Sequence, residues 1–479
     1  MKKYVPILFV VFLLAGCMEN LLDKKPAYEA DLDGAITNAK TAELALVGVY
    51  SNLPMAEYHT IYTTAPGSFK AGTMRRPEWW TRGNAIYYYE RYWPTLQGSS
   101  DYDWDADYEL IKNANFLMNA LKGINDFEGN RKEEMVGELH FLRAFAYNRL
   151  MLRYAQYWDI DSKLGLIIRN ELPNLDNVKK RRSTVVESYR AILEDLNIAI
   201  DKCPNYSSCG RASKVAAKAI KTRVYLQMGK YLECIKMAEE VLKHVDNGLA
   251  SDYATVFSDY SDTNEILFAR MNGTSDDMTS RKNAYSSGKW GPSQNYINFL
   301  GNDPRFNAII GDEVVVDYRY ATDGVEYKNH TVKKLVNTSN DLPIIYLRMA
   351  EIYLLKAEAI YRSGGSSNDA YAPIATLRNR AGATPVSHAT SEEIERAILN
   401  EWLIEMSFEN WHEYFALQRF GVDKLLERND ILREALEEAA AAGSEAEEQY
   451  RMRIDNYRIL PIPSGEINAN SIVQNPGYN

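Results

Sequence analysis

The chain has 479 residues, room for about three domains of ordinary size or for one large helical-repeat unit. Hydrophobic residues make up 46% and charged residues 25%, a globular balance that excludes a disordered, collagen-like or polytopic membrane chain. With 55 Lys and Arg against 65 Asp and Glu, the net charge is −10 and no long basic run occurs, which argues against nucleic-acid binding.

Met1-Lys2-Lys3-Tyr4 is a short basic start, followed by an apolar run over 5–14. Ten residues reach only about halfway across a bilayer core, so this is a secretory signal rather than a transmembrane helix. It ends Leu14-Ala15-Gly16-Cys17, which resembles the lipobox of bacterial lipoproteins. The resemblance implies removal of residues 1–16 and lipidation of Cys17; a plain signal peptide with an incidental cysteine is the alternative. Cleavage removes Lys2 and Lys3 and takes the charge from −10 to −12. No other stretch reads as membrane-spanning, so lipid would be the only anchor, and several acyl chains hold firmly.

From there the periodicity is helical almost throughout. Helices are predicted over 42–52, 108–121 and 136–154. A capped one starts near Ser183 or Thr184, with Glu187 at the capping-box position, and runs to about 200. Residues 212–228 and 231–244 form a hairpin around Gly229 that resembles a tetratricopeptide unit. A similar pair covers 349–362 and 369–380, another helix covers 392–411, and an Ala- and Glu-rich solvated helix covers 434–453. Two stretches break the pattern: 55–104 mixes Gly, Pro and aromatics, and 246–345 mixes Gly, Ser, Asn and Asp with β-like runs such as 313–317. Long irregular segments in a compact protein are usually functional. The chain therefore reads as mainly α. One unit over 17–479 has a helical-repeat scaffold at about 36–54, 105–245 and 346–430, with loop-rich insertions at about 55–104 and 246–345.

Four cysteines are present. Cys203 and Cys209 flank a turn-rich segment and suit a local disulfide in an oxidising compartment. Cys234 sits among apolar helical residues and reads as core. Without clustered His the thiols make no zinc site.

Several segments resemble the SusD/RagB-type outer-membrane lipoproteins. They are Gly137-Glu138-Leu139-His140-Phe141-Leu142-Arg143-Ala144, the run Ile345-Tyr346-Leu347-Arg348-Met349-Ala350-Glu351 into its helix, and Leu377-Arg378-Asn379-Arg380-Ala381-Gly382. The ending Leu460-Pro461-Ile462-Pro463 through Gln474-Asn475-Pro476-Gly477-Tyr478 also fits. The order matches, and the likeness runs from about residue 20 onward. Departures lie at Asn400-Glu401-Trp402, where the family carries Glu-Arg-Arg, and at Arg419-Phe420-Gly421, where it carries Arg-Trp-Gly after Asp-Leu. They touch local ion pairs rather than the fold. The resemblance implies helix pairs of tetratricopeptide type as a scaffold, a variable loop-rich half, and a place on the outer leaflet of a Gram-negative outer membrane. It implies a partner, a SusC-like TonB-dependent transporter over which such proteins form a lid. It implies a glycan ligand passed to the pore as oligosaccharide or, as in RagB-like members, a peptide. It implies no cofactor and no catalysis.

Tyr is the one over-represented residue, 33 in the chain, and Tyr is a residue of binding surfaces. Residues 79–108 hold 10 aromatics in 30 positions against 11% overall. Flat aromatic rings match the C–H face of a pyranose and are cheap to order. Trp79, Trp80, Tyr88, Tyr89, Tyr92 and Trp93 are the candidate platforms, with Arg75 and Arg76 among the polar contacts; packing of loops onto helices is the alternative. Trp104 and Tyr108 lead into a helix and read as core. Trp290, between Gly288 and Gly291, is a second candidate, with Asn295 close by. Asp303-Pro304-Arg305 reads as a structural turn. Glu351 and Glu358, seven apart on one helix face, stand about 10 Å apart, beyond a glycosidase pair at ~5–9.5 Å. They read as helix-to-helix ion pairs, with Arg378 and Arg380 on the next helix. Asp101, Asp103, Asp105 and Asp107 alternate like a calcium loop but lack its Gly and Glu. Ser286 and Lys289 have serine–lysine spacing without partner motifs. No zincin, nucleophile-elbow or phosphate-loop motif occurs, so an enzyme is the weakest reading and no metal is expected.

Overall fold

Asn38 opens the first helix, α1 (Ala39–Ser51), by exchanging hydrogen bonds with Thr41 in a capping box. The computed structural model describes residues 35–53, 65–75, 97–174, 176–258, 263–271, 285–288, 290–316, 328–335 and 343–478, with Arg75 described through its backbone. The signal segment, Cys17, Arg76, Trp79, Trp80, Tyr88, Tyr89, Tyr92, Trp93 and Lys289 lie outside the described residues.

After α1 come α2 (Ala65–Ala71) and the two-residue strand β1 (Met74–Arg75). Then α3 (Gln97–Leu121) and α4 (Arg131–Tyr154) form the first long pair. The 136–154 pattern has apolar residues on nearly every side, and the structure shows why: α4 lies between α3, α5 (Val185–Lys202) and α6 (Lys214–Gln227), buried from Met135 to Tyr154 with few breaks. At Gly137 an added Cβ would stand 2.4 Å from the Cys203 backbone nitrogen, so α4 and the end of α5 meet backbone to backbone. Thr184 and Glu187 make the expected capping box of α5. The helices α6 and α7 (Tyr231–Leu242) form the expected hairpin.

The second irregular stretch carries α8 (Thr255–Ser258), β2 (Ile266–Arg270), β3 (Gly291–Pro292), α9 (Gln294–Leu300), α10 (Phe306–Ile309), β4 (Ile310–Val315) and β5 (Lys328–Val332). It ends in β6 (Ile344–Arg348), which runs directly into α11 (Met349–Arg362). Among the described residues the strands form three antiparallel pairs, β1–β3, β2–β6 and β4–β5. The scaffold does not lapse across this stretch. Helix α11 packs on α7, and α12 (Ser367–Arg380) on α11, so chain leaves and re-enters a continuous helical stack at one place. The segment has its own core of Tyr253, Val256, Phe257, Tyr285, Tyr296, Leu300, Ile309, Ile310 and Val332.

The remaining helices are α13 (Ser391–Glu405), α14 (His412–Phe420), α15 (Val422–Arg428), α16 (Asp430–Ala442), α17 (Ser444–Asn456) and α18 (Ser464–Asn470). Two expectations need correction. The helix expected over 392–411 stops at Glu405, because Phe408, Asn410 and Trp411 take positive φ in the turn before α14. That turn aims Glu405 and Glu409 at one buried arginine, Arg348, an arrangement periodicity does not encode. The helix expected over 434–453 is two, parted at Gly443. The tail then returns to α4: the Asn475 amide donates to the Tyr154 and Leu460 carbonyls at 2.9 and 2.7 Å and accepts from Arg182 at 2.9 Å.

Candidate ligand-binding face

The face takes its shape from where the irregular segments are fastened. Just before β1, the Ser68 hydroxyl donates to Glu413 at 2.5 Å and Thr73 to the same oxygen at 3.3 Å. Glu413 is fully buried, and burial raises its carboxyl above the ordinary value. Lys70 donates to the Tyr457 carbonyl at 2.5 Å over the Tyr414 ring, and burial pulls its ammonium down to about 7. The Asn429 amide holds the Phe69 and Lys70 carbonyls at 3.2 and 3.1 Å. These contacts fix α2 on the helices α14 to α16.

From that base β1 pairs with β3, Met74 opposite Pro292 and Arg75 opposite Gly291. The Ser293 hydroxyl donates to the Gly72 carbonyl at 2.6 Å, and its amide to the Thr73 carbonyl at 2.9 Å. On the far side, a Cβ on Gly291 would stand 2.3 Å from Asn329 Nδ2 and 2.4 Å from the His330 carbonyl oxygen, so only glycine lets β5 lie so close. Asn329 donates to the Gly288 carbonyl at 3.0 Å, and His330 Nδ1 meets the Gly311 carbonyl at 2.9 Å. Segments 76–96 and 317–327 therefore both depart from one small cluster of strands.

An ion network joins this segment to the scaffold. Arg348, fully buried, donates to Glu265 (2.9 Å), Glu405 (2.6 Å) and, with two nitrogens, Glu409 (2.9 Å each). Arg305 pairs with Asp303, Glu401 and Glu405, Arg378 with Glu401, Arg380 with Glu265 and Glu405, and Lys334 with Glu409. Five cations thus meet five carboxylates among the described residues. Burial alone would raise Glu405, but Arg380, Arg348 and Arg305 outweigh it and hold it far below the usual carboxylate range.

The described ends of the two candidate segments meet here. Arg75, from which the aromatic run 79–93 follows, faces Gly291, the neighbour of Trp290. Trp290 is half-buried, its ring edge-on to Phe69 at 5.4 Å, rather than fully free in a loop. Asn295 is not an open contact either: its amide donates to the Arg428 carbonyl at 2.9 Å and holds α9 in place. Arg305 is the structural residue expected of its turn. Cys203 and Cys209 are both free: Cys203 closes α5 in a buried position under Gly137, while Cys209 lies 3.8 Å from Met271 sulfur. Cys234 is core.

Trp104 is buried against Tyr154 and Tyr108, as read from the sequence. Asp103 and Asp107 face Arg149 and Arg153, while Asp105 is exposed. The described acids of that run, Asp103, Asp105 and Asp107, are thus split between interior ion pairs and solvent. Glu351 and Glu358 are ion-paired, but their partners are Arg223 for the first and Arg362 and Arg419 for the second, not Arg378 and Arg380. Burial would raise Glu358, yet the two arginines hold it down at about 2, far from a general acid. Sequence reasoning missed Phe69, Asn329 and the β1–β3–β5 cluster; the bare glycine after Trp290 was the only local sign of it.

Two family models match consecutive halves of the chain: one described as "Starch-binding associating with outer membrane" over residues 21–226, the other as "SusD family" over residues 250–478. A SusD-like protein of Bacteroides ovatus is 23% identical over 478 aligned residues, covering 89% of this chain and 84% of its own. The crystal structure of a SusD-like protein from Bacteroides fragilis superposes with a TM-score of 0.70 at 21% identity, over 94% of this chain and 99% of its own. A laminarin-binding SusD-like protein superposes at 0.66 with 20% identity, over 92% of this chain and 100% of its own.

Proposed function

This chain is a SusD/RagB-type protein, and from that premise we propose that it captures glycan at the outer membrane on the face where β1 meets β3. It is a binding protein, with lipid on Cys17 holding residues 17–479 at the cell exterior as one unit. Trp79, Trp80, Tyr88, Tyr89, Tyr92 and Trp93 supply ring faces to the pyranose, with Trp290 at their border, and Arg75 and Arg76 orient hydroxyls. A SusC-like TonB-dependent transporter receives the bound oligosaccharide, and its contact raises the effective concentration of ligand at the pore.

One observation carries this reading. The β1–β3 register sets Arg75, four residues before Trp79, opposite Gly291, next to Trp290. Met74 of β1 belongs to the buried cluster of Tyr253 and Phe408, and Arg305 and Lys334 of the ion network lie over the Tyr253 ring, so the edge is packed at its root and loses little to ordering.

Affinity electrophoresis through gels loaded with neutral polysaccharides tests it. One polymer should retard the protein, and a Trp79/Trp80/Trp290 triple alanine variant with an unchanged melting temperature should run free. If no polymer retards the protein and a peptide library is retained instead, the glycan reading falls and peptide capture replaces it.

A further inference from the structure

The scaffold interior holds a second place of interest, away from the β1–β3 edge. Between α4, α6, α11, α13 and α14 lies a cavity of about 30 Å³. That is room for about two water-sized occupants, or one halide. Four guanidiniums stand in its wall, those of Arg149, Arg153, Arg223 and Arg419, against one carboxylate, Glu351. Their pairings leave a surplus. Arg149 and Arg153 share Asp103 and Asp107, Arg223 has Glu351, and Glu358 serves both Arg362 and Arg419. The cluster keeps one positive charge in excess.

Three buried wall atoms make no hydrogen bond among the described residues: Trp402 Nε1, Arg149 Nη2 and His412 Nε2. Trp402 is 1% exposed, Arg149 5% and His412 7%. Tryptophan and arginine nitrogens only donate, so an occupant must accept. Asp103 Oδ1 stands 3.6 Å from Arg149 Nη2, beyond hydrogen-bond reach, and other acceptors nearby are engaged. Both Glu351 oxygens and the Tyr346 carbonyl take Arg223, and Gln227 Oε1 takes Asn148. A water would turn its own hydrogens toward guanidiniums. An anion has none to place. His412 stacks on Trp402 at 5.9 Å, with Nδ1 4.0 Å from Glu351 Oε1. Orphaned buried donors are costly, and an anion would satisfy them.

We propose that this cavity binds a small monovalent anion of the halide class, held by Trp402 Nε1 and Arg149 Nη2 beside the His412 ring. The occupant is structural: it joins α4 to α13 and α14 and neutralises the surplus charge. Crystals of the full-length protein grown in sodium bromide and measured at the bromine edge should show an anomalous peak inside the cavity. Water alone, or no density, overturns the proposal. In solution, chloride in place of gluconate at equal ionic strength should raise the melting temperature by about 2 °C. Trp402→Phe keeps the stacked ring and drops the N–H, so at least half of that gain should vanish. An equal gain in the variant, or none in the parent, also overturns it; if the variant fails to fold, the bromide experiment decides.

Discussion

At Gly291 a missing methyl group decides whether three strands can meet. Gly291→Ala would drive a Cβ into Asn329 and the His330 carbonyl, which have little room to move. The expected result is at least a tenfold loss of polysaccharide retardation, with helical circular dichroism unchanged and the melting temperature lowered only slightly. Retention of full binding would show that the ligand does not depend on this edge. Arg348 sits at the other extreme of residue-scale cost. Arg348→Met leaves Glu265, Glu405 and Glu409 short of their common partner in a fully buried site. A loss of about 3–5 kcal/mol is expected in chemical denaturation. The sequence made Arg348 visible as part of a resemblance, but not the triangle it forms with Glu405 and Glu409. Pairing across long sequence separation leaves no local trace, which is also why Arg223 and Arg419, rather than Arg378 and Arg380, were found on Glu351 and Glu358.

Helices were the most legible level, because burial of one face imposes a period on the sequence itself. The capping box at Thr184 and the α6–α7 hairpin were readable from a few residues. The break after Glu405 was not, since three residues at positive φ, none of them glycine, are held there by tertiary contacts. Helix contacts make two further expectations. Gly137→Ala would wedge α4 from the end of α5, and a loss of about 1–3 kcal/mol is expected in denaturation. Glu358 of α11 clamps Arg419 of α14, and its carboxyl lies at about 2 against a usual 4.5. The unfolded chain therefore takes up this proton first as pH falls. The stabilisation is complete above the usual value and disappears as pH drops toward about 2. Glu358→Gln should be less stable at neutral pH and should lose less stability than the parent between pH 4.5 and 2. Parallel pH profiles for the two proteins would show that this carboxylate does not contribute.

For the whole molecule, a charge of −10 sets the long-range field. Neutral polysaccharides should retard the protein more than sulfated ones of the same backbone at low ionic strength, and the gap should narrow as salt screens the repulsion. An unchanged gap from 20 to 300 mM salt would place discrimination in local contacts. At this scale the mainly helical class and the family likeness were both legible. The motifs that carried the likeness prove to be joints: Gly137 where two backbones touch, and Asn475 where the tail caps α4. The binding edge was legible only as composition, since aromatic crowding says what a surface can hold and not where it stands. The doorway between α7 and α11 has a consequence of another kind. Closing a flexible loop costs free energy that rises only with the logarithm of its length, about 0.6 kcal/mol for each doubling. Between these two helices, then, length is nearly weightless. Over generations the connections of the excursion that lie outside the ion network can lengthen or shorten while the helical stack registers little of it, and a foreign domain spliced between β4 and β5 would ride along at the same slight cost.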